Sequence, residues 1–166
     1  VLQFSSNTSS LLMNAGTATS YLAATVGTLN VQGGSYFHQS SGTITTGAVA
    51  VTANNGIITL TANDTSVANA SPEGITVGAG GISSGGGAIN LLAADDIALG
   101  GDVNATAGTV TITADSAGQD VTTADTDGAI TRTAGTVTGG TVNLNAEEGI
   151  AATTAAGTLN AVNGAT

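Results

Sequence analysis

The sequence has no cysteine, no tryptophan and no lysine, and its single strong base is Arg132. Each absence removes a class of protein. Without Cys there is neither a disulfide scaffold nor a thiolate metal site. With one cationic side chain almost nothing displaces the counterions of a phosphate backbone, so no nucleic-acid partner is expected. The same lack excludes electrostatic docking to anionic membranes. No run approaches the roughly 18 consecutive apolar residues of a transmembrane helix. The chain opens at Val1 with no basic stretch ahead of an apolar core, so an export signal is expected to have been removed or to lie upstream of a fragment. Aromatics amount to 2 % (Phe4, Tyr21, Tyr36 and Phe37), so Val, Ile, Leu and Ala must fill the interior. Charged residues make up 7 %, against roughly a quarter in an ordinary globular domain. The only proline, Pro72 in NASPEGITV, is expected in a loop or at a strand start.

What is present points to strands. The 166 residues suit one domain, 41 % are apolar, and the net charge is −10. Low charge with this much apolar content argues against a solvated disordered chain. Abundant Gly and β-branched residues penalise helix.

A motif of apolar residues at alternate positions ending in Ala or Gly recurs, often with another apolar residue four positions on. In GGTVNLNAEEGI it is Val142, Leu144, Ala146 and Ile150. Further copies are Leu29, Val31, Gly33 and Phe37; Val49, Val51, Ala53 and Ile57; and Ile89, Leu91, Ala93 and Ile97. Val110, Ile112 and Ala114 form a copy with a longer turn before Val121, and Leu159, Ala161 and Asn163 form a truncated one. Most are introduced by a glycine: Gly27, Gly47, Gly87, Gly108, Gly140 or Gly157.

Short strands with glycine corners at a near-constant period are the signature of a solenoid. Alternation places the apolar positions on one face and Thr, Asn and Ser on the other. The expected fold is therefore all-β, a parallel β-helix (β-solenoid) with turns of about 20 residues and one turn degenerate between residues 60 and 80. Residues 1–26 fit the motif poorly and are expected as an irregular N-terminal cap or first turn, ahead of a repeat region over 27–166 in the same domain. GAGGISSGGGA (78–88) reads as a glycine-rich corner, or as a hinge. Such a stack leaves strand edges at its ends, so end-to-end packing with itself or with adjacent solenoid segments is expected.

GGDVNATAGTVTITAD (100–115), AADDIALGGDV and GGTVNLNAEEGIAATTAAGTLNA (139–161) resemble the repeats of filamentous-haemagglutinin-type bacterial surface exoproteins. The resemblance covers roughly 27–163 and is strongest from residue 86 onward. It implies a right-handed β-helix, export to the cell surface and a role as a stalk or adhesive rod. The amino-terminal secretion domain of that family is not recognisable here.

The residues do not assemble a reaction centre, and no catalytic, cofactor-binding or metal residue is assigned. His38, in GGSYFHQSSG, has no acidic residue before Asp64 to orient it and reads as a surface or corner residue. A β-helix enzyme acting on carbohydrate would need several acids near a base, and Arg132 is the single candidate. Asp95 with Asp96, and Glu147 with Glu148, fall between the corner Ala and the next Ile and read as solvated turns; weak Ca²⁺ binding there is the less favoured alternative, and no cofactor is expected. ADTDG (124–128) lacks the rest of a calcium loop. Arg132 is expected to pair with an acidic turn such as Asp125 or Asp127. Thr-x-Thr pairs are unevenly spaced and read as outward strand residues. The sequons at Asn7, Asn63, Asn69 and Asn104 are no more than chance predicts in so Ser/Thr-rich a chain. The expectation is a non-enzymatic, secreted or cell-surface structural protein; a module binding glycans or host surfaces through its Thr/Asn/Ser face and a self-assembling filament subunit are the alternatives.

Overall fold

The computed structural model describes residues 3–4, 11–14, 20–22, 29–32, 36–40, 44–46, 51–54, 56–64, 73–117 and 128–163. Among them there is no helix; the regular structure is all strand. The strands come in threes. β1 (Gln3–Phe4), β2 (Leu11–Asn14) and β3 (Ser20–Leu22) are followed by β4 (Leu29–Gln32), β5 (Tyr36–Ser40) and β6 (Ile44–Thr46). Next come β7 (Val51–Asn54), β8 (Ile58–Ala62) and β9 (Ile75–Val77), then β10 (Ile82–Ser84), β11 (Ile89–Ala93) and β12 (Ile97–Leu99). β13 (Val103–Asn104), β14 (Thr109–Thr113) and β15 (Ala129–Arg132) precede β16 (Val137–Ala146), β17 (Gly149–Ile150) and β18 (Thr154–Asn163).

Each strand pairs in parallel with its counterpart in the next set, which produces three rows. The first runs β1-β4-β7-β10-β13-β16 and the second β2-β5-β8-β11-β14-β16, with β18 beyond β16. The third, a separate six-stranded sheet, runs β3-β6-β9-β12-β15-β17. β16 joins the first two rows: Val137 and Thr138 pair with β13, whereas Thr141 to Asn145 pair with β14. The twelve-stranded sheet therefore turns back on itself at Gly139 and Gly140.

The core follows from period-2 alternation in parallel register. In the second row Ile58, Ile89, Val110 and Val142 stack in turn, and Leu60, Leu91, Ile112 and Leu144 stack beside them. All eight are buried. Ile44, Ile75, Ile97 and Ile130 do the same in the third row. In the first row Ile82, Val103 and Val137 face the same interior. Burying one Leu or Ile side chain contributes about 1.5–3 kcal/mol, so the ladders are the main source of stability. Ser84, also fully buried, donates its hydroxyl to Gly56 O at 2.8 Å, which satisfies the one polar side chain set in that stretch of the first row.

The glycine that introduces each copy has a steric cause. Gly140 N donates to Gly108 O at 2.9 Å, and a Cβ on Gly140 would lie 2.3 Å from Ala107 O. Gly108, Gly140 and Gly157 follow one another at this corner, where only hydrogen leaves room for the backbone one layer away.

Several expectations need correction. Leu29 pairs with Val51, not Val49, and both lie in the first row; the second-row partner of Ile89 is Ile58. Ile58, Leu60 and Ala62 thus form a further copy, paired with Ile89, Leu91 and Ala93. Ile57, expected inside, is 40 % exposed, whereas Ile58 is fully buried: a one-residue slip that exchanges the faces of the strand. The residue that follows Ile97 in the third row is Ile130, while Val121 lies outside the described residues. Within 78–88 the segment Ile82–Ser84 is a first-row strand, so this stretch is neither a hinge nor a plain corner. Partner separations vary between layers, 31 residues for Thr59 and Asn90, 32 for Thr111 and Asn143, and 17 for Asn143 and Asn160. Within the first 26 residues, β1, β2 and β3 pair in parallel with β4, β5 and β6. Pro72 lies outside the described residues.

Candidate functional site

Two features of the described surface carry polar chemistry: a corner of carboxylates and an outward wall of amides and hydroxyls. The corner lies where the second row hands over to the third. Asp64, Glu73 and Asp95 are 8 %, 8 % and 4 % exposed. Glu73 N donates to Asp95 Oδ2 at 2.8 Å, joining residues 22 apart in the chain. Burial pushes the Glu73 carboxyl up from 4.5 to about 7, with the charges of Asp95 and then Asp64 adding to the rise, while its own backbone N–H pulls the other way. Near neutral pH this group carries its proton about half the time.

The remaining acids of this region bind backbone. Asp96 Oδ1 accepts from Gly128 N at 3.1 Å and Ala129 N at 2.8 Å, and Asp102 Oδ1 accepts from Thr136 N at 2.8 Å. Both link one set of strands to the next across more than thirty residues of chain; they are charge-assisted staples between layers. The expected solvated turn at Asp95 and Asp96 is thus half right: Asp96 is exposed, but Asp95 is buried. Glu148, in the equivalent pair, is exposed, with Glu147 half-buried, and Glu147 N and Glu148 N both donate to Gly128 O. Among the described residues no group of three or more His, Cys, Asp or Glu could hold a metal ion.

Arg132 is exposed, and its Nε donates to Gly135 O at 2.7 Å. Asp125 and Asp127, its expected partners, lie outside the described residues. His38 sits within β5, paired through the backbone with Met13 and Leu60, rather than at a corner. Asn104 closes a turn by accepting from Thr106 N at 2.7 Å, and Thr106 adopts φ 53°, a strained setting for a β-branched residue.

The outward wall belongs to the second row. Thr59, Asn90, Thr111, Asn143 and Asn160 follow one another in register, with Thr61, Leu92, Thr113, Asn145 and Val162 alongside. Asn90 Nδ2 donates to Thr59 Oγ1 at 3.2 Å, Asn145 Nδ2 to Thr113 Oγ1 at 3.4 Å and Asn160 Nδ2 to Asn143 Oδ1 at 2.8 Å. Each amide reaches back to the preceding layer, so the wall is knitted along the stacking direction. Because Thr and Asn alternate and Leu92 and Val162 interrupt, the hydroxyls form no regular rank. This row was invisible to a search for Thr-x-Thr within strands, since its regularity runs across layers.

No helix among the described residues is long and apolar enough to cross a membrane. Compared with models of protein families, with curated proteins and with solved structures, the chain matches none.

Proposed function

We propose that the chain is a non-enzymatic structural segment: a right-handed parallel β-solenoid with short coils, serving as part of a stalk or fibre on a bacterial surface. The observation that carries this reading is the use of the polar groups. Asp95, Asp96 and Asp102 bind backbone of neighbouring layers, and the Asn side chains bind the layer before them, so the chemistry of the described surface is directed at holding layers together. Continuous aliphatic ladders supply the rest. Repeat stacks of this kind gain stability from nearest-neighbour layers and transmit it along their length, which suits a load-bearing spacer. The export and surface setting come from the resemblance of roughly 27–163, strongest from residue 86 onward, to filamentous-haemagglutinin-type repeats.

Solution NMR of the purified chain tests the reading. A solenoid stacks its coils about 4.8 Å apart in parallel, so contacts between the backbones of successive strand sets are expected; antiparallel strand contacts would overturn it. A second reading, glycan binding, is favoured by the exposed stretch of amides and hydroxyls around Asn143 and Asn160. A broad glycan panel separates the two: saturable binding lost on Asn143→Ala would establish a binding module, and an inert panel leaves the structural role.

A further inference from the structure

The asparagines of the outward walls divide into two kinds. Asn90, Asn143, Asn145 and Asn160 each donate through Nδ2 to the layer before them. Asn104 does the reverse: its Oδ1 accepts from Thr106 N at 2.7 Å, while its Nδ2 has no partner among the described residues. Asn104 is half-buried on the outward side of β13, between the buried Val103 and Ala105, and its register neighbours Ser83 and Thr138 are short. Thr106 is the second unusual feature. It is exposed and held at φ 53°, a setting that disfavours a β-branched residue. The offset that pairs Ile82 with Val103 and Ile89 with Val110 puts Gly85 at the equivalent place one layer earlier, so the chain carries a strained Thr where its neighbouring layer carries glycine. What the Thr adds is a hydroxyl. Its Oγ1 donates to Ser84 O at 3.3 Å, a long bond that leaves the oxygen lone pairs free to accept.

We propose that Asn104 is an acceptor for N-linked glycosylation, with Ala105 and Thr106 completing its sequon. The number of sequons in the chain carries no weight; the geometry of this one does. The sequons at Asn7 and Asn69, and Thr65 of the Asn63 sequon, lie outside the described residues. At Asn104 the turn ties down Oδ1 and leaves Nδ2 as the free end of the amide, with the Thr hydroxyl two residues on at the surface. A sugar on this nitrogen displaces no bond between layers, whereas on Asn90, Asn143, Asn145 or Asn160 it would replace one. The group taken is a sugar activated as a glycosyl diphosphate. Nδ2 attacks the anomeric carbon, a carbon–nitrogen bond forms as the bond from that carbon to the diphosphate oxygen breaks, and the amide gives up one proton to a base of the transferring enzyme. The step needs no oxidant or reductant. It is independent of the load-bearing reading, so the failure of either leaves the other standing.

Peptide mass spectrometry of the chain recovered from the cells that make it tests the proposal. The peptide containing Asn104 is expected to carry a sugar on that residue, to lose it in Asn104→Gln and in Thr106→Gly, and to keep it in Thr106→Ser. Thr106→Gly separates modification from structure, because glycine relieves the strain at φ 53° and the variant is expected to fold while losing the sugar. Thr106→Ser, which keeps the hydroxyl, guards against a variant that fails to fold. A single hexose identifies a nucleotide-linked donor and a preassembled oligosaccharide a lipid-linked one; either supports the proposal. Asn104 recovered bare, sugar found only at Asn7, Asn63 or Asn69, or sugar persisting on Asn104 in Thr106→Gly overturns it.

Discussion

Glu73 sits nearly buried beside two other carboxylates, and that makes it sensitive to pH. Its carboxyl is raised from 4.5 to about 7 on folding, so the folded state favours the protonated form. The resulting stability is fully present below about pH 4.5 and is lost as pH rises through about 7, by up to about 3 kcal/mol. Thermal melting across this range should show the decline, and Glu73→Gln should flatten it and raise the melting temperature above pH 7. At the corner, Gly140→Ala would force a Cβ to within 2.3 Å of Ala107 O, where the obstacle is backbone. Denaturant unfolding should register a loss of about 2 kcal/mol or more. Asp96 offers a contrast between charge and shape. Asp96→Ala removes the acceptor for Gly128 N and Ala129 N and should cost about 1–2 kcal/mol, while Asp96→Asn keeps an acceptor and should cost less. The roles of the two carboxylates were not legible in the sequence. Glu73 and Asp95 are 22 residues apart and Asp96 and Gly128 are 32 apart, and no local pattern announces partners at such separations.

At the scale of strands, the alternation of Ile89 with Leu91, Val110 with Ile112 and Val142 with Leu144 was readable, and the register places those residues in two adjacent columns. The glycine before each copy was readable too, and Gly108 and Gly140 turn out to mark one corner. The row to which an earlier copy belongs is not legible in the sequence, for a physical reason. A period of two tells inside from outside but not one row from another, so Leu29 and Val31 of the first row look the same as Ile58 and Leu60 of the second. Ile57 and Ile58 are both apolar, so composition could not choose the face; pairing with Ile89 does. The columns also predict where truncation hurts most. Ile112 is fully buried between Leu91 and Leu144, and Ile112→Ala should cost about 3–4 kcal/mol. Leu159→Ala, at a half-exposed position, should cost about 1 kcal/mol or less. Comparing the two by equilibrium unfolding checks that the cost follows burial along the ladder.

For the whole molecule, scarcity and architecture are two sides of one constraint. Narrow columns of Ile, Val, Leu and Ala leave little room for aromatics, and walls knitted by amide, hydroxyl and carboxylate bonds between layers manage with few charges. The central claim is the parallel register itself, with each row continuing layer upon layer. At 15.7 kDa the chain is within reach of solution NMR, and backbone contacts between layers read the register directly. Parallel-type amide contacts are predicted between Ile89 and Val110, between Val110 and Val142, and between Ile97 and Ile130. Antiparallel contacts, or Ile97 paired with a residue other than Ile75 and Ile130, would contradict the account.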